Sequence, residues 1–183
     1  TFEANSTTRG CWTNQQVAGN ANWTFATGAG GGAITTAFQG TLNARFVSVS
    51  GTATPTTRLV SPILNLTGLT TPQLKFHYGQ EVWFGDQNTL KVYYRVDQNS
   101  SWVEIANYTG NIAVWTLAEL NLPNPSATYQ IAFEGINNWG RANVIDNVVV
   151  EETLSMVVLP TNQLAFYPNP VKDVLNLVNN TII

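Results

Sequence analysis

The fold is decided by the stretch LKFHYGQEVWFGDQNTLKVYYRV, residues 74–96. Apolar and polar residues alternate from Leu74 to Tyr78, and the alternation resumes from Leu90 to Val96. A period of two places the apolar side chains on one face of a strand. The stretch therefore predicts two strands, each with one buried face, joined by a polar loop that contains a glycine.

Further strand patterns recur on both sides of this stretch. Residues 58–64 are interrupted by Pro62, as expected of an edge strand or a strand end, whereas residues 144–150 are apolar on both faces, as expected of a central strand. The other predicted strands are residues 44–49, 102–105 and 129–134. Many short strands separated by turn residues predict an all-β protein, an antiparallel β-sandwich of jelly-roll type.

Composition narrows the classes of function. The chain has 183 residues, of which 44% are hydrophobic and only 10% charged, and its net charge is −3. This charge gives no basic surface for nucleic acid, and no apolar run is long enough to span a membrane. The glycine-rich residues 28–32 lack the Lys-Ser/Thr of a phosphate-binding loop, so we expect a flexible loop there. The single cysteine, Cys11, is expected to be a small buried residue.

An ordered series of short motifs runs through the main part of the chain. The series is Phe2-Glu3, Gly10-Cys11-Trp12, Asn22-Trp23, Leu59-Val60-Ser61-Pro62, Leu74-Lys75-Phe76-His77-Tyr78-Gly79, Leu90-Lys91-Val92, Trp102, Trp115, Phe133-Glu134-Gly135 and Ile145-Asp146-Asn147-Val148. Residues 1–152 resemble a MAM domain and are also similar to the cleaved-adhesin domains of Bacteroidetes surface proteins. The resemblance implies a jelly roll used for adhesion, for protein contacts or as an accessory module beside an enzyme.

Two positions depart from the family pattern. The family's disulfide partner for Cys11 would precede Phe2, where only Thr1 stands, and one carboxylate of an acidic pair is replaced in Asp146-Asn147. These departures weaken the transfer of the family's disulfide and of its complete acidic site to this chain.

The segment FYPNPVKDVLNL, residues 166–177, predicts a turn followed by a strand. Pro168 and Pro170 each remove an amide donor, Asn169 suits a turn, and alternation follows. With Tyr167 these residues resemble the opening of the C-terminal sorting domain of the type IX secretion system of Bacteroidetes. The resemblance implies that the type IX translocon is a partner and that the protein is secreted or displayed on the outer cell surface.

The same resemblance suggests three parts of the chain. Residues 1–152 form the main domain, residues 153–165 a linker, and residues 166–183 a truncated start of the sorting domain, a short C-terminal β tail. The alternative is that the tail is a last edge strand of the main domain. No signal peptide precedes Thr1, which fits a mature exported protein or a fragment.

Asp146 is the strongest candidate metal ligand, because it lies in a strand with apolar faces. An ionised carboxylate there is unfavourable unless a cation or several donors meet it. We expect Glu3 to lie in the first strand, which in such jelly rolls is commonly next to the last one. Two carboxylates favour a structural Ca²⁺ site, with Asn5 or Asn22 as a further ligand. Alternatively, Asp146 accepts backbone amides or pairs with Arg141, and Glu3 is exposed.

Two polar loops carry tryptophan. One contains Trp83 and Asp86, the other Trp139 and Arg141. Tryptophan among polar loop residues can stack on a sugar or anchor a protein contact, whereas the alternative is that both rings fold back over the core.

No pair of carboxylates has a recognisable acid–base spacing, and the only histidine, His77, is expected at the surface. We therefore predict no enzymatic activity. The favoured function is adhesion or interaction with a surface protein or glycan. A carbohydrate-binding accessory module is the alternative, and an enzyme fragment the least favoured.

Overall fold

The structure is a computed structural model that describes residues 1–47, 54–153, 164–167 and 176–179. The chain divides after Thr153 into two units. The described part contains no helix long and apolar enough to cross a membrane.

The first unit is a sandwich of two five-stranded antiparallel sheets. Sheet A has the order β1-β4-β9-β6-β7 and sheet B the order β2-β3-β10-β5-β8. The strands are β1 (Thr13–Ala18), β2 (Thr24–Ala26), β3 (Asn43–Phe46), β4 (Thr56–Val60), β5 (Pro72–Gln80), β6 (Thr89–Arg95), β7 (Val103–Tyr108), β8 (Ile112–Asn121), β9 (Gln130–Ile136) and β10 (Asn143–Glu152). The predicted all-β jelly-roll sandwich is confirmed.

The core between the sheets is rich in aromatic residues. Phe76 of β5 and Phe133 of β9 meet edge to face, with ring centroids 4.9 Å apart. Phe2, which precedes every strand, is buried and lies 5.3 Å from Phe25. Such rings bury large apolar areas, and their edge-to-face packing stabilises the fold beyond the effect of that burial. Phe2 is therefore part of the core although it precedes the first strand.

Three strands have no sequence pattern from which they could be predicted. Every residue of β1 is exposed, so this edge strand has no apolar face to detect. Strand β2 has only three residues. Strand β8 has the sequence IAVWTLAELN, in which leucine, alanine and glutamate favour helix, and its pairing with β5 overrides that preference.

A bulge divides β10 into two halves that present opposite faces. The register with β5 shifts between Asp146 and Val149, and Asn147 has a φ of +51°. Ile145 and Val148 both pack in the main core although their positions differ in parity. A regular strand would place Asp146 and Val148 on the same face, but the bulge reverses the alternation after Asp146 and puts them on opposite faces.

A long loop, residues 27–42, contacts side chains of sheet B outside the main core. Ile34 packs with Val144 and Trp115 in a small second core. The Trp115 Nε1 donates to the Thr36 carbonyl at 3.0 Å. Phe38 stacks on His77, with ring centroids 3.4 Å apart. We call this segment the covering loop.

In the second unit, β11 (Leu164–Tyr167) pairs antiparallel with β12 (Asn176–Asn179). Tyr167 of the proposed sorting signal is the last residue of β11. Its other residues, Pro168, Asn169 and Pro170, lie outside the described residues.

Candidate functional site

Three aromatic side chains are exposed on two loops at one end of the sandwich. The β5–β6 loop carries Trp83 and Phe84, and the β9–β10 loop carries Trp139. The exposed fractions are 44% for Trp83, 93% for Phe84 and 41% for Trp139. The rings of Trp83 and Phe84 lie 5.5 Å apart. We call the β5–β6 and β9–β10 loops, which carry these three residues, the aromatic loops. At these positions the rings present surface to solvent, as a contact site requires.

Two of these aromatic residues have an unfavourable backbone conformation. Trp83 and Asp86 close a tight turn, each amide donating to the other's carbonyl at 2.9 and 2.8 Å. Within this turn Phe84 has a φ of +49°, and Trp139 has a φ of +68° in its own loop. Bulky residues rarely adopt this region, and strain of this kind clusters at functional sites.

The buried side chain of Asn88 holds the second aromatic loop in place. Its Oδ1 accepts from the amides of Asn138 at 2.9 Å and Gly140 at 3.0 Å, and its Nδ2 donates to the Arg141 carbonyl. A Cβ at Gly140 would lie 2.7 Å from the Asn88 amide nitrogen. The two loops are thus fixed together, so ordering them adds little to the entropy lost on binding.

A cavity of about 200 Å³ lies beside Trp83. It is lined by Gly30 and Gly31 of the covering loop, by Val47 after β3, and by Arg141. The Arg141 guanidinium carbon is 5.6 Å from the centroid of the Trp83 ring. Of the predicted ligand-binding residues, Trp83 and Arg141 therefore lie together, whereas Trp139 and Asp86 do not line this cavity.

Asp146 is almost completely buried and accepts hydrogen bonds from backbone amides. The Gln39 amide of the covering loop donates to it at 2.9 Å, and the Asn147 amide at 2.7 Å. Burial raises the pKa of this carboxyl, while the amides of Gln39, Asn147 and Phe38 oppose that rise. No ion pair joins Asp146 to Arg141 within the described part of the chain.

Glu3 binds the covering loop at Thr41, two residues after the Gln39 amide that contacts Asp146. The expectation that Glu3 lies in the first strand is wrong, because β1 begins ten residues later. Its carboxylate accepts the amides of Thr41 and Leu42, each at 2.8 Å, and the Thr41 hydroxyl at 2.6 Å. The Thr41 hydroxyl and these amides lower the pKa of Glu3. The charge of Glu3 also contributes to the raised pKa of Asp146.

The two carboxylates suit a hard cation in their chemistry, because both are oxygen donors and one is buried with a raised pKa. Among the described residues, neither predicted amide ligand forms a hydrogen bond with these carboxylates. Asn22 is exposed and accepts from Gln16 at 3.0 Å, and Asn5 is exposed. Among the described residues, no group of three or more histidine, cysteine or acidic side chains could hold a metal ion.

The outer face of sheet A carries charged groups that satisfy one another. Glu134 lies 2.7 Å from Arg58, and Glu104 lies 2.9 Å from Lys91. The Tyr93 hydroxyl lies 3.1 Å from Glu134 and 3.2 Å from Glu104, and its one hydrogen is shared between the two carboxylates. Each carboxylate is therefore held by a cation and a shared phenol, which disfavours a free general acid or base.

The structure also shows the surroundings of two further residues, Cys11 and His77. Cys11 is exposed, so the expected burial is wrong. It lies in the turn before β1, where it lines a surface cavity with Gln130. His77 lies under Phe38, and burial lowers the pKa of its imidazole.

Three residues of this end escape the sequence argument. Phe84 stands between Trp83 and Gly85, and its exposure depends on a turn conformation normally reserved for glycine or asparagine. Arg45 is the one charged residue in a short predicted strand, which is a weak signal of an outward position. Asn88 has no local pattern, since its role depends on a loop fifty residues away.

The family model described as MAM domain, meprin/A5/mu matches residues 1–153. No curated protein sequence matches the chain. Two similar solved structures are the K1 and K3 cleaved adhesin domains of Lys-gingipain from Porphyromonas gingivalis W83. Each is 17% identical and covers 78% of this chain; the K1 match covers 91% of that domain with a TM-score of 0.59, and the K3 match 92% with 0.61.

A third similar structure is TmCBM61, solved in complex with β-1,4-galactotriose. It is 10% identical, with 78% of this chain and 88% of that chain covered and a TM-score of 0.53. At these identities the three structures show a common fold alone.

Proposed function

The chain belongs to the MAM domain family, and on that premise we propose that it is a secreted or cell-surface interaction module that binds through its aromatic loops. The observation that carries the proposal is the exposure of Trp83, Phe84 and Trp139 on fixed loops at one end of the sandwich. Exposed aromatic rings with a polar surround are the usual anchors of binding surfaces.

The position of the loops supports the same function. Residues 137–141 follow the end of β9, whereas Thr153 follows the end of β10 and donates to the Thr71 carbonyl beside the start of β5. Because β5 and β10 run antiparallel, Thr153 lies at the opposite end from the aromatic loops. The chain therefore leaves the domain away from the proposed contact surface.

Carbohydrate is the alternative ligand, and the cavity beside Trp83 favours it. A volume of about 200 Å³ suits a single sugar-sized group, and the indole face beside it suits a sugar ring. The likeness to TmCBM61, which was solved in complex with a galactotriose, agrees with this alternative. Binding, with no turnover of the ligand, is the proposed activity.

The test is attachment of the purified chain to glycans and to surface proteins, compared with Trp83→Ala and Trp139→Ala. We expect binding to fall at least tenfold in Trp83→Ala. Val114→Ala, which truncates a side chain 68% exposed on β8, is the matched control. Wild-type binding that is unchanged in both tryptophan variants would contradict the proposal.

Export by the type IX system is the proposed route to the surface. The support is the sequence of residues 166–177 and the likeness of the first unit to a cleaved adhesin domain of Lys-gingipain from Porphyromonas gingivalis. Residues 153–183 fused to a reporter should bring it outside a bacterium with that system. The control is the same fusion with residues 166–177 scrambled. Equal retention of both reporters in the periplasm would rule out this route.

Ca²⁺ is the proposed structural cofactor, held by Asp146 and Glu3. Burial, with a smaller contribution from the charge of Glu3, raises the pKa of Asp146, and a divalent cation would offset the cost of a charged carboxylate there. Its role would be to tie the covering loop to β10 and to the N-terminal residues, with no part in catalysis.

A further inference from the structure

The glycine-rich part of the covering loop lies directly against two arginine side chains. A Cβ at Gly30 would lie 2.6 Å from Nη1 of Arg45, and a Cβ at Gly31 would lie 2.6 Å from Nη1 of Arg141. Consecutive Cα atoms are about 3.8 Å apart, so the two guanidinium groups contact neighbouring residues. With the arginines in these positions there is no room for a Cβ at residue 30 or 31, which agrees with glycine at both.

Among the described residues, both guanidinium groups lack an acceptor for part of their donors. The Nε atoms of Arg45 and Arg141 are buried, and no described residue is their hydrogen-bond partner. Across residues 1–47 and 54–153, no carboxylate lies within 4 Å of either group. Unsatisfied buried donors are uncommon in native proteins and call for an explanation.

The nearest acidic side chains do not supply that acceptor. Glu81 contacts Gly32, the next residue of the loop, and its Oε2 accepts the Ala33 amide at 2.7 Å. Asp86 is exposed in the turn below Trp83. Two other arginines have an acceptor close by. The Arg58 Nε also makes no well-aligned hydrogen bond, but it lies 2.7 Å from the Glu134 carboxylate, and Arg95 donates twice to Gln130.

The cavity places the Arg141 guanidinium beside an aromatic face, and Arg45 contacts the far side of the glycine-rich wall without lining the cavity. Arg141 lines the cavity and lies 5.6 Å from the centre of the Trp83 ring, which is 44% exposed. A planar guanidinium binds a carboxylate or sulfate through two parallel bonds, and an indole face packs against the C–H side of a sugar ring. The two features lie about one sugar residue apart.

From this arrangement we propose that the cavity between Trp83 and the glycine-rich loop binds an anionic saccharide, whose carboxylate or sulfate group is held by Arg141 with Arg45 behind it. The inference rests on the proposed function and names its ligand class. Because the whole chain is net negative, the attraction is local to these two arginines.

The experiment uses the full chain and measures binding by titration calorimetry. The probes are an oligogalacturonate, a chondroitin sulfate oligosaccharide and a neutral galactan oligomer of matched length. We expect the anionic probes to bind more tightly than the neutral one, and to weaken as salt is raised from 50 to 500 mM.

Variants then separate the arginine contribution from charge and from folding. Arg141→Ala should weaken anionic binding at least tenfold, and Arg141→Lys should recover only part of it, because lysine keeps the charge without the fork. Arg9→Ala removes the same charge from a residue that lies over the Phe25 ring and does not line the cavity, and it should leave binding unchanged. Melting curves report whether each variant is folded, and Arg45→Ala provides a second test.

The outcomes distinguish this inference from the proposed function. Neutral oligosaccharide binding that depends on Trp83 but not on Arg141 would overturn the anionic specificity alone. Binding of both the carboxylate and the sulfate probe would support a general anion site, whereas one of them alone would identify the group. Attachment to an acidic protein that needs Trp83, with no saccharide binding, would overturn the saccharide assignment. The absence of any Trp83-dependent binding would overturn the proposed function itself.

Discussion

The covering loop meets charged side chains at two places, and the two differ in how those charges are satisfied. At residues 39–42, the carboxylates of Asp146 and Glu3 accept four hydrogen bonds from the loop. At residues 30–31, the guanidinium groups of Arg45 and Arg141 touch glycines that offer no side-chain acceptor. The first place fastens the loop to the sandwich, and the second leaves donors for a ligand.

The difference shows why charge alone does not identify a site. Asp146 is almost completely buried. Its position among apolar residues makes it conspicuous in the sequence. A buried charge with its partners present contributes to structure, whereas a charge whose partners are missing is available for recognition. The acidic end should therefore govern stability and the basic end binding.

The largest expected effect is the loss of stability in Asp146→Ala. The change leaves the Gln39 and Asn147 amides without acceptors, which costs about 1–3 kcal/mol. For a domain of this size that corresponds to a fall of roughly 2–4 °C in Tm per kcal/mol. Thermal unfolding followed by circular dichroism measures it, with the exposed Asp86→Ala as control. Equal Tm values for the two variants would contradict the expectation that the acidic end governs stability.

Calcium binding is the next effect in size. If Asp146 and Glu3 hold Ca²⁺, adding the ion at ten times its Kd should raise the stability by about 1.4 kcal/mol, and EDTA should reverse the gain. Asp146→Ala should abolish the response. Melting curves with and without EDTA test the proposal, and identical curves for the wild type would reject the ion.

Acid should affect the two carboxylates in opposite directions. The pKa of Glu3 is lowered, so its stabilising effect is present above its ordinary value of 4.5 and is lost as the pH falls through the lowered value. The pKa of Asp146 is raised, so its contribution favours the folded state at low pH and is lost as the pH rises through the raised value.

Glu3→Gln should therefore lower the stability at pH 7 and flatten its decline below pH 5. Urea unfolding at a series of pH values measures this dependence. An unchanged acid limb in Glu3→Gln would show that the loop is held without that carboxylate.

The smallest effect should have the opposite sign. Phe84→Gly removes a side chain that is 93% exposed from a position with a φ of +49°, so the variant should be more stable by up to about 1 kcal/mol. The same variant should bind ligand more weakly. Increased stability with unchanged affinity would mean that Phe84 takes no part in contacts.

Alternation predicted most strands that have one buried face, such as β5 and β6, because burial pattern and period agree there. It could not predict β1, whose residues are all exposed, or the bulge in β10, where one residue reverses the faces. Hydrophobic patterning records which side chains are buried, but it contains no signal for a shift of register.

The candidate site was predictable where an unusual residue stands in an unusual place. Trp83 and Trp139 among polar loop residues, and Asp146 in an apolar strand, satisfy that condition. Arg45 does not, because an outward arginine on a short strand is ordinary until a loop from elsewhere lies on it. Residues that function through distant backbone need the folded chain to be recognised.

The exposure of Cys11 gives the molecule a built-in point of attachment. It is the only thiol in the sequence, and with Gln130 it lines a cavity at the start of β9. The aromatic loops follow the other end of that strand, seven residues and roughly 20 Å away. A maleimide tether at this thiol would immobilise every molecule in one orientation, with the contact surface facing the solution.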